Sequence, residues 1–260
     1  MEITLVIPAR YGSTRFPGKP LVNIAGRSLI ERVWRIASAV KGVTVLVATD
    51  DERIVEHVHS FGGRSVMTPS ECRNGSERIL AALQQLKHQP DIALNVQGDA
   101  VLTPPWILQA LVDHMKTNST CVLSTPAVQL SREQYEKVLQ QTKAGIAGGT
   151  YVTFDQSGKA LYFSKALIPH LRDGVPEDLP VYKHIGIYAY RMETLEQYVS
   201  LGPGRFELVE QLEQLRALEH GIPIDVVHVD YRGRTPWSID LPEDVQEVEA
   251  ILAREGELVP

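Results

Sequence analysis

The sequence has little cysteine and no long apolar run, and both shortages narrow what it can be. Cys72 and Cys121 are the only thiols. They form no Cys-x-x-Cys pair and no Cys/His spacing of a zinc site, so neither a disulfide framework nor a zinc knuckle is expected. Two incidental thiols suit a reducing compartment. No stretch approaches the roughly 20 apolar residues of a membrane span. Residues 1–7, Met-Glu-Ile-Thr-Leu-Val-Ile, lack the basic start and small-residue cleavage site of a secretory signal. Excess positive charge is missing too: the formal net charge is -6, which argues against nucleic acid or an acidic membrane surface as partner. A cytoplasmic protein is expected, one that can still bind phosphates wherever Arg and Lys cluster.

What is present is apolar material in an ordinary globular proportion, 43% of 260 residues, enough for one large core with a small subdomain. Short Val/Ile/Leu-rich runs at Ile3–Pro8, Val43–Ala48, Arg64–Met67, Ile92–Val96 and Thr120–Ser124 predict strands. Between them Ser28–Val40, Asp51–Phe61, Ser76–Leu86 and Pro104–Lys116 space their apolar residues near 3.6 and predict helices. Ser28 and Asp50 are expected as N-caps, and Pro105 suits a first turn. Strand and helix in alternation predict an α/β, doubly wound, mostly parallel sheet.

Beyond residue 130 the rhythm changes. Ser131–Gln141 predicts a helix, Tyr151–Asp155 and Ala160–Phe163 a hairpin, and 166–181 an irregular loop. His184–Tyr190 and Ile224–Val229 follow as strands, with Glu207–Glu219 and Pro242–Arg254 as helices. The chain reads as a single domain over 1–260, with an inserted β-containing region at about 130–190.

The richest segment leaves the first strand: Pro8-Ala9-Arg10-Tyr11-Gly12-Ser13-Thr14-Arg15-Phe16-Pro17-Gly18-Lys19-Pro20. Open α/β sheets bind ligands at the carboxyl ends of their strands. Glycines there let backbone amides approach phosphate, and Arg10, Arg15 and Lys19 can neutralise a triphosphate. The segment is not a Walker A loop, because five residues separate Gly12 from Gly18 and Pro20 follows Lys19. A merely basic, solvated loop is the plain alternative. Asp99 ends a strand at the same edge; its carboxylate suits Mg²⁺ or caps the Pro104 helix. Asn74–Arg78 reads as a turn feeding a helix N-terminus, an anion site or a simple cap. His184 and Tyr188 share one strand face, where a histidine can equally be a core residue. Glu207, Glu210, Gln211 and Gln214 form a polar helical stripe, which is often only a solvated face.

The phosphate-loop segment resembles the signature of the cytidylyltransferases that make CMP-3-deoxy-D-manno-octulosonate, the CMP-Kdo synthetases. Similar blocks follow in order at Val47–Asp51, Asn74–Arg78, Asn95–Asp99, Leu161–Ser164, His184–Tyr188, Leu212–Arg216 and Ile239–Asp244. The resemblance implies a Rossmann-like nucleotidyltransferase fold whose β-containing subdomain serves acceptor binding and dimerisation, in a homodimer. It implies attack of an acceptor oxygen on the α-phosphate of CTP, with Mg²⁺ and a part in lipopolysaccharide biosynthesis. Arg10, Lys19, Asp99 and Asp240 would be catalytic, with Asp99 and Asp240 holding the metal. Ala9, Arg10, Gly12, Ser13, Arg15, Lys19, Asn74, Gly75, Ser76, Arg78 and Gln97 would bind the nucleotide. Gln97, Lys165, His184, Tyr188, Glu210 and Gln214 would line the pocket of an acidic, sugar-like acceptor.

The sequence departs from that pattern where the acceptor would bind. Ala100-Val101 replaces the family's Glu-Pro after Asp99, and Lys165 replaces an Arg that can clamp a carboxylate with two bonds. Gly148-Gly149 and Tyr151 stand at an otherwise Val-rich strand. Kdo is therefore the leading acceptor, with 8-amino-Kdo, another 2-keto sugar acid or a phosphonate as runners-up. A non-catalytic nucleotide-binding paralogue is a further alternative, against which the retained Arg10, Lys19, Asp99 and Asp240 count.

Overall fold

The computed structural model describes residues 1–12, 15–145 and 149–260, so the expectations for Ser13 and Gly148 lie outside the described residues. Strand β1 (Ile3–Ala9) is apolar on both faces, as a central parallel strand must be. A one-turn 3₁₀ helix (Lys19–Leu21) follows, then β2 (Asn23–Ile24), β3 (Arg27–Ser28) and α1 (Leu29–Ser38). The alternation continues with β4 (Thr44–Thr49), α2 (Glu52–Ser60), β5 (Ser65–Met67), α3 (Gly75–Leu83), β6 (Ile92–Asn95) and α4 (Pro105–Thr117). Strands β5, β4, β1 and β6 lie side by side and all parallel. Successive side chains of β1 point to opposite faces: Leu5 and Ile7 pack with α1, α2 and α4, while Val6 packs with α3. That two-sided cover makes the sheet doubly wound.

The helix starts are chemically marked. Ser28 Oγ accepts from the Glu31 amide at 3.2 Å, and Asn74 Oδ1 from the Glu77 amide at 2.9 Å. The cap of α2 is Asp51, not the expected Asp50; Asp51 Oδ1 accepts from the Arg53 amide at 3.0 Å. Asp50 instead takes the Arg78 guanidinium at 2.8 Å.

The second half is β7 (Leu123–Gln129), α5 (Arg132–Lys143), β8 (Tyr151–Phe154), β9 (Ala160–Ser164), β10 (Tyr182–His184), β11 (Tyr188–Arg191), α6 (Met192–Ser200), α7 (Arg205–Glu210), α8 (Leu215–Glu219), β12 (Asp225–His228) and α9 (Asp244–Glu255). Strand β11 adds antiparallel to β6, so the parallel half runs into a mixed half. Both β10 and β11 pair with β7, and β10 carries the β8–β9 hairpin. A bridge from Lys159 to Asp225 ties that hairpin to β12, which pairs with β7, so this end of the sheet curls back on itself.

Three expected elements differ. The His184–Tyr190 strand is two strands separated by Ile185–Ile187, because Thr125 Oγ1 donates to the Ile187 carbonyl at 2.7 Å and holds the chain out of register. The Glu207–Glu219 helix breaks at Gln211, whose φ is 54°. Strand β7 starts later than Thr120 and runs through Pro126, a residue that ordinarily ends a strand signal.

Candidate active site

The carboxyl ends of β1 and β6 open onto one edge, and the loops leaving them build the site. Gly98 must lack a side chain, since a Cβ there would lie 2.7 Å from the Pro8 carbonyl oxygen. The two loops can therefore touch only at a glycine. Gly75 is similar but looser: its Cβ would meet Asn95 Nδ2 at 3.2 Å. Around this crossing lies a cleft of about 260 Å³ lined by Ala9, Arg10, Arg15, Lys19, Arg73, Asn74, Gly75, Arg78, Gln97 and Asp99, among others.

The cations of the phosphate loop are partly committed. Lys19 Nζ donates to Asp99 Oδ2 at 3.0 Å and to the Ile239 carbonyl at 2.7 Å, which fastens the loop after β6 to the segment before α9. Arg15 pairs with Asp240 at 3.0 Å. The geometry leaves neither acid a helix-capping role. Residue Pro104, with no side-chain cap, precedes α4, so Asp99 does not cap it. Helix α9 starts at Asp244, and the Asp240 carboxylate faces Arg15 instead of a helix end.

A second cleft of about 460 Å³ adjoins the first and shares Gln97 and Asp99 with it. Its walls include Lys165, Lys183, His184, Tyr231, Trp237 and Asp240. His184 Nε2 lies 2.8 Å from Thr125 Oγ1, whose proton goes to Ile187, so the ring donates through Nε2. Burial lowers the His184 pKa to about 3, and the Lys165 charge presses the same way. The imidazole is neutral.

Several expected site residues stand elsewhere. Ser76 is fully buried beneath Asn95 and Gly12 is exposed; neither lines the first cleft. Arg78 lines it, yet its guanidinium is held by Asp50 and by Thr68 Oγ1 at 2.7 Å, so it braces the wall. Tyr188 is buried behind His184 and donates to Gln214 Oε1 at 3.0 Å. Glu210 accepts from Ser164 Oγ at 2.8 Å and from the Lys165 amide at 2.9 Å. Tyr188, Glu210 and Gln214 are thus a layer behind the second cleft, not its lining. The polar stripe does not exist as a solvated face either, because Glu207 is spent on Arg216 and Gln214 is buried.

Sequence reasoning missed Arg73, Lys183, Tyr231, Trp237 and Asp244. Asp244 accepts from the Asp240 amide at 2.8 Å and the Leu241 amide at 2.7 Å, fixing the loop that presents Asp240. Its position four residues after Asp240, within Leu-Pro-Glu-Asp, was the available signal.

Residues 4–225 match the family described as Cytidylyltransferase. The chain belongs to the cytidylyltransferase family. This cytidylyltransferase is 54% identical over 260 residues, all of each chain, to the 3-deoxy-manno-octulosonate cytidylyltransferase of Maricaulis maris. It is 41% identical over 256 residues (97% of this chain, 99% of the other) to the 8-amino-3,8-dideoxy-manno-octulosonate cytidylyltransferase of Shewanella piezotolerans. A solved structure of a CMP:2-keto-3-deoxy-manno-octonic acid synthetase complexed with CTP superposes with a TM-score of 0.86 at 34% identity, covering 98% of this chain and 100% of that one. The 4-diphosphocytidyl-2C-methyl-D-erythritol synthase of Anaerococcus prevotii, at 17% identity and TM-score 0.61 over 97% of this chain and 99% of that one, shares the fold. Among the described residues, no helix is long and apolar enough to cross a membrane.

Proposed function

We propose that this cytidylyltransferase transfers CMP from CTP to 3-deoxy-D-manno-octulosonate (Kdo), giving CMP-Kdo and pyrophosphate. One observation carries the reading: two clefts of different character meet at Gln97 and Asp99, so a nucleotide and an acceptor can lie against each other. The cleft with the phosphate loop takes CTP, its triphosphate against Arg10, Arg15 and Lys19. The second takes the acceptor. Its anomeric hydroxyl oxygen attacks the α-phosphorus, the bond from that phosphorus to the bridging oxygen breaks, and the electron pair leaves with pyrophosphate. The proton passes to solvent; His184, at a pKa of about 3, is too weak a base to keep it. The protein's task is alignment and charge neutralisation.

Asp99 and Asp240 fit Mg²⁺, since they offer only oxygen and line the same cleft. Each is balanced by a cation, Lys19 or Arg15, that a triphosphate can draw to itself. When bound, the ion supplies Lewis-acid polarisation and lowers the acceptor hydroxyl's pKa. Kdo is preferred to its 8-amino analogue on charge grounds. Among the described residues lining the second cleft the carboxylates are Asp99 and Asp240, the two that would hold Mg²⁺, so the ammonium of the 8-amino analogue would find no free partner. The enzyme acts in the cytoplasm, where CTP is held. It works as a homodimer joined through the region at about 130–190, where Leu161 on β9 is 62% exposed.

The test is pyrophosphate release from CTP and Mg²⁺ with Kdo, 8-amino-Kdo, sialic acid and phosphonates offered separately. Turnover is expected with Kdo above the others. Turnover confined to another acid would move the substrate assignment, and nucleotide binding without turnover on any acceptor would revive the non-catalytic paralogue.

A further inference from the structure

Lys183 lines the second cleft and is half-buried. Its backbone is fixed from both sides, paired with Val128 of β7 and Tyr151 of β8. Its stem lies against a bare glycine: a Cβ on Gly149 would sit 2.9 Å from Lys183 Cε and 3.6 Å from Nζ. Gly149 also has a φ of 137°, a conformation that L side chains rarely adopt. Backbone and glycine together leave the ammonium little choice of place.

The charges around it do not balance. Lys19 has Asp99, Arg15 has Asp240, and Lys165 is exposed enough for water to solvate it. Among the described residues Lys183 has no carboxylate partner, and burial lowers its pKa with no neighbouring charge acting against burial. A desolvated cation without a counter-ion costs stability, and such a group facing a cleft is a mark of ligand recognition. The ligand that relieves it is an anion, and a carboxylate makes the short, charge-assisted hydrogen bond an ammonium favours.

We infer that Lys183 is the residue that reads the acceptor's carboxylate, with Gly149 kept bare to seat its stem. The inference rests on the reading of the acceptor as a sugar acid. It also accounts for the tolerance of Lys165, because the firm contact to the acid is made from β10 and not from the exposed end of β9.

The experiment compares wild type, Lys183→Met, Lys183→Arg and Gly149→Ala with Kdo and with the Kdo methyl ester, whose carboxylate charge is gone. Lys183→Met is expected to raise the KM for Kdo roughly 10- to 100-fold, the worth of a hydrogen bond to a charged group, while the KM for CTP stays within twofold. It should also erase most of the wild type's preference for acid over ester. Lys183→Arg should keep that preference, and Gly149→Ala should weaken it by displacing the stem. Lys183→Met should melt no lower than wild type, since Met fills the same space without an unpaired charge. An unchanged acid-to-ester ratio in Lys183→Met, or a clear fall in its melting temperature, overturns the inference. Failure of the wild type to use Kdo overturns the acceptor reading itself and the inference with it, a different outcome from an active wild type whose Lys183 variants behave alike.

Discussion

Lys19 does two jobs with one ammonium: it neutralises Asp99 and it ties the loop after β6 to Ile239. In the proposed CTP complex it would serve the phosphates as well, so its loss should fall on the transition state more than on the fold. Lys19→Met is predicted to lower kcat/KM by about 10²–10³, the usual cost of one preorganised electrostatic contact, with little change in melting temperature; steady-state kinetics and a thermal melt check both halves. Glu213 gives a pH signature. Burial raises its pKa to about 7, against the pull of Arg216 and with a push from Glu207. The folded value lies above the unfolded one near 4.5, so the folded state holds a proton the unfolded chain has lost. Its stabilising contribution is complete below pH about 4.5 and lost as pH rises through about 7. Glu213→Gln should therefore gain on wild type in urea stability between pH about 4.5 and 7, and a gap that does not change with pH contradicts this.

At the scale of elements, what was legible were features written locally. The apolar run of β1, Ser28 and the Asn74-Gly75 start of α3 state their structures within a few residues. The breaks were not legible, because they are enforced from elsewhere. Ile185–Ile187 reads as strand, but Thr125 and the Pro126 carbonyl of the neighbouring strand hold it between β10 and β11. Thr125→Val should cost about 1–3 kcal/mol by chemical denaturation, the penalty for buried partners left unpaired, and should free the His184 ring. Gln211 likewise sits inside a helical pattern yet takes a left-handed conformation at the end of α7. A left-handed non-glycine residue costs about 1–2 kcal/mol, part of which glycine returns as chain entropy. Gln211→Gly should thus stabilise by about 0.5–1 kcal/mol in the same assay. Helix α6 was legible and overlooked: Met192, Leu195 and Tyr198 are buried at helical spacing. The acceptor wall was the opposite case, since a single lysine on a strand carries no spacing signal, and Lys183 emerges only when β7, β8 and β10 are placed together.

Across the whole molecule, the parallel half brings the phosphate loop and Asp99 to one sheet edge, and the mixed half adds His184, Lys165 and Lys183 beside them. The chain then returns through Asp240 and α9 to the parallel half, and Lys19 fastens that return. In the proposed reaction this junction moves the α-phosphorus of CTP onto an acceptor oxygen. The direct measurement follows label from [α-³²P]CTP and, separately, from [γ-³²P]CTP with Kdo and Mg²⁺. α-Label is expected in a sugar nucleotide and γ-label in pyrophosphate, in equal amounts. Release of γ-label as orthophosphate, or of α-label as free CMP without a sugar nucleotide, would contradict it.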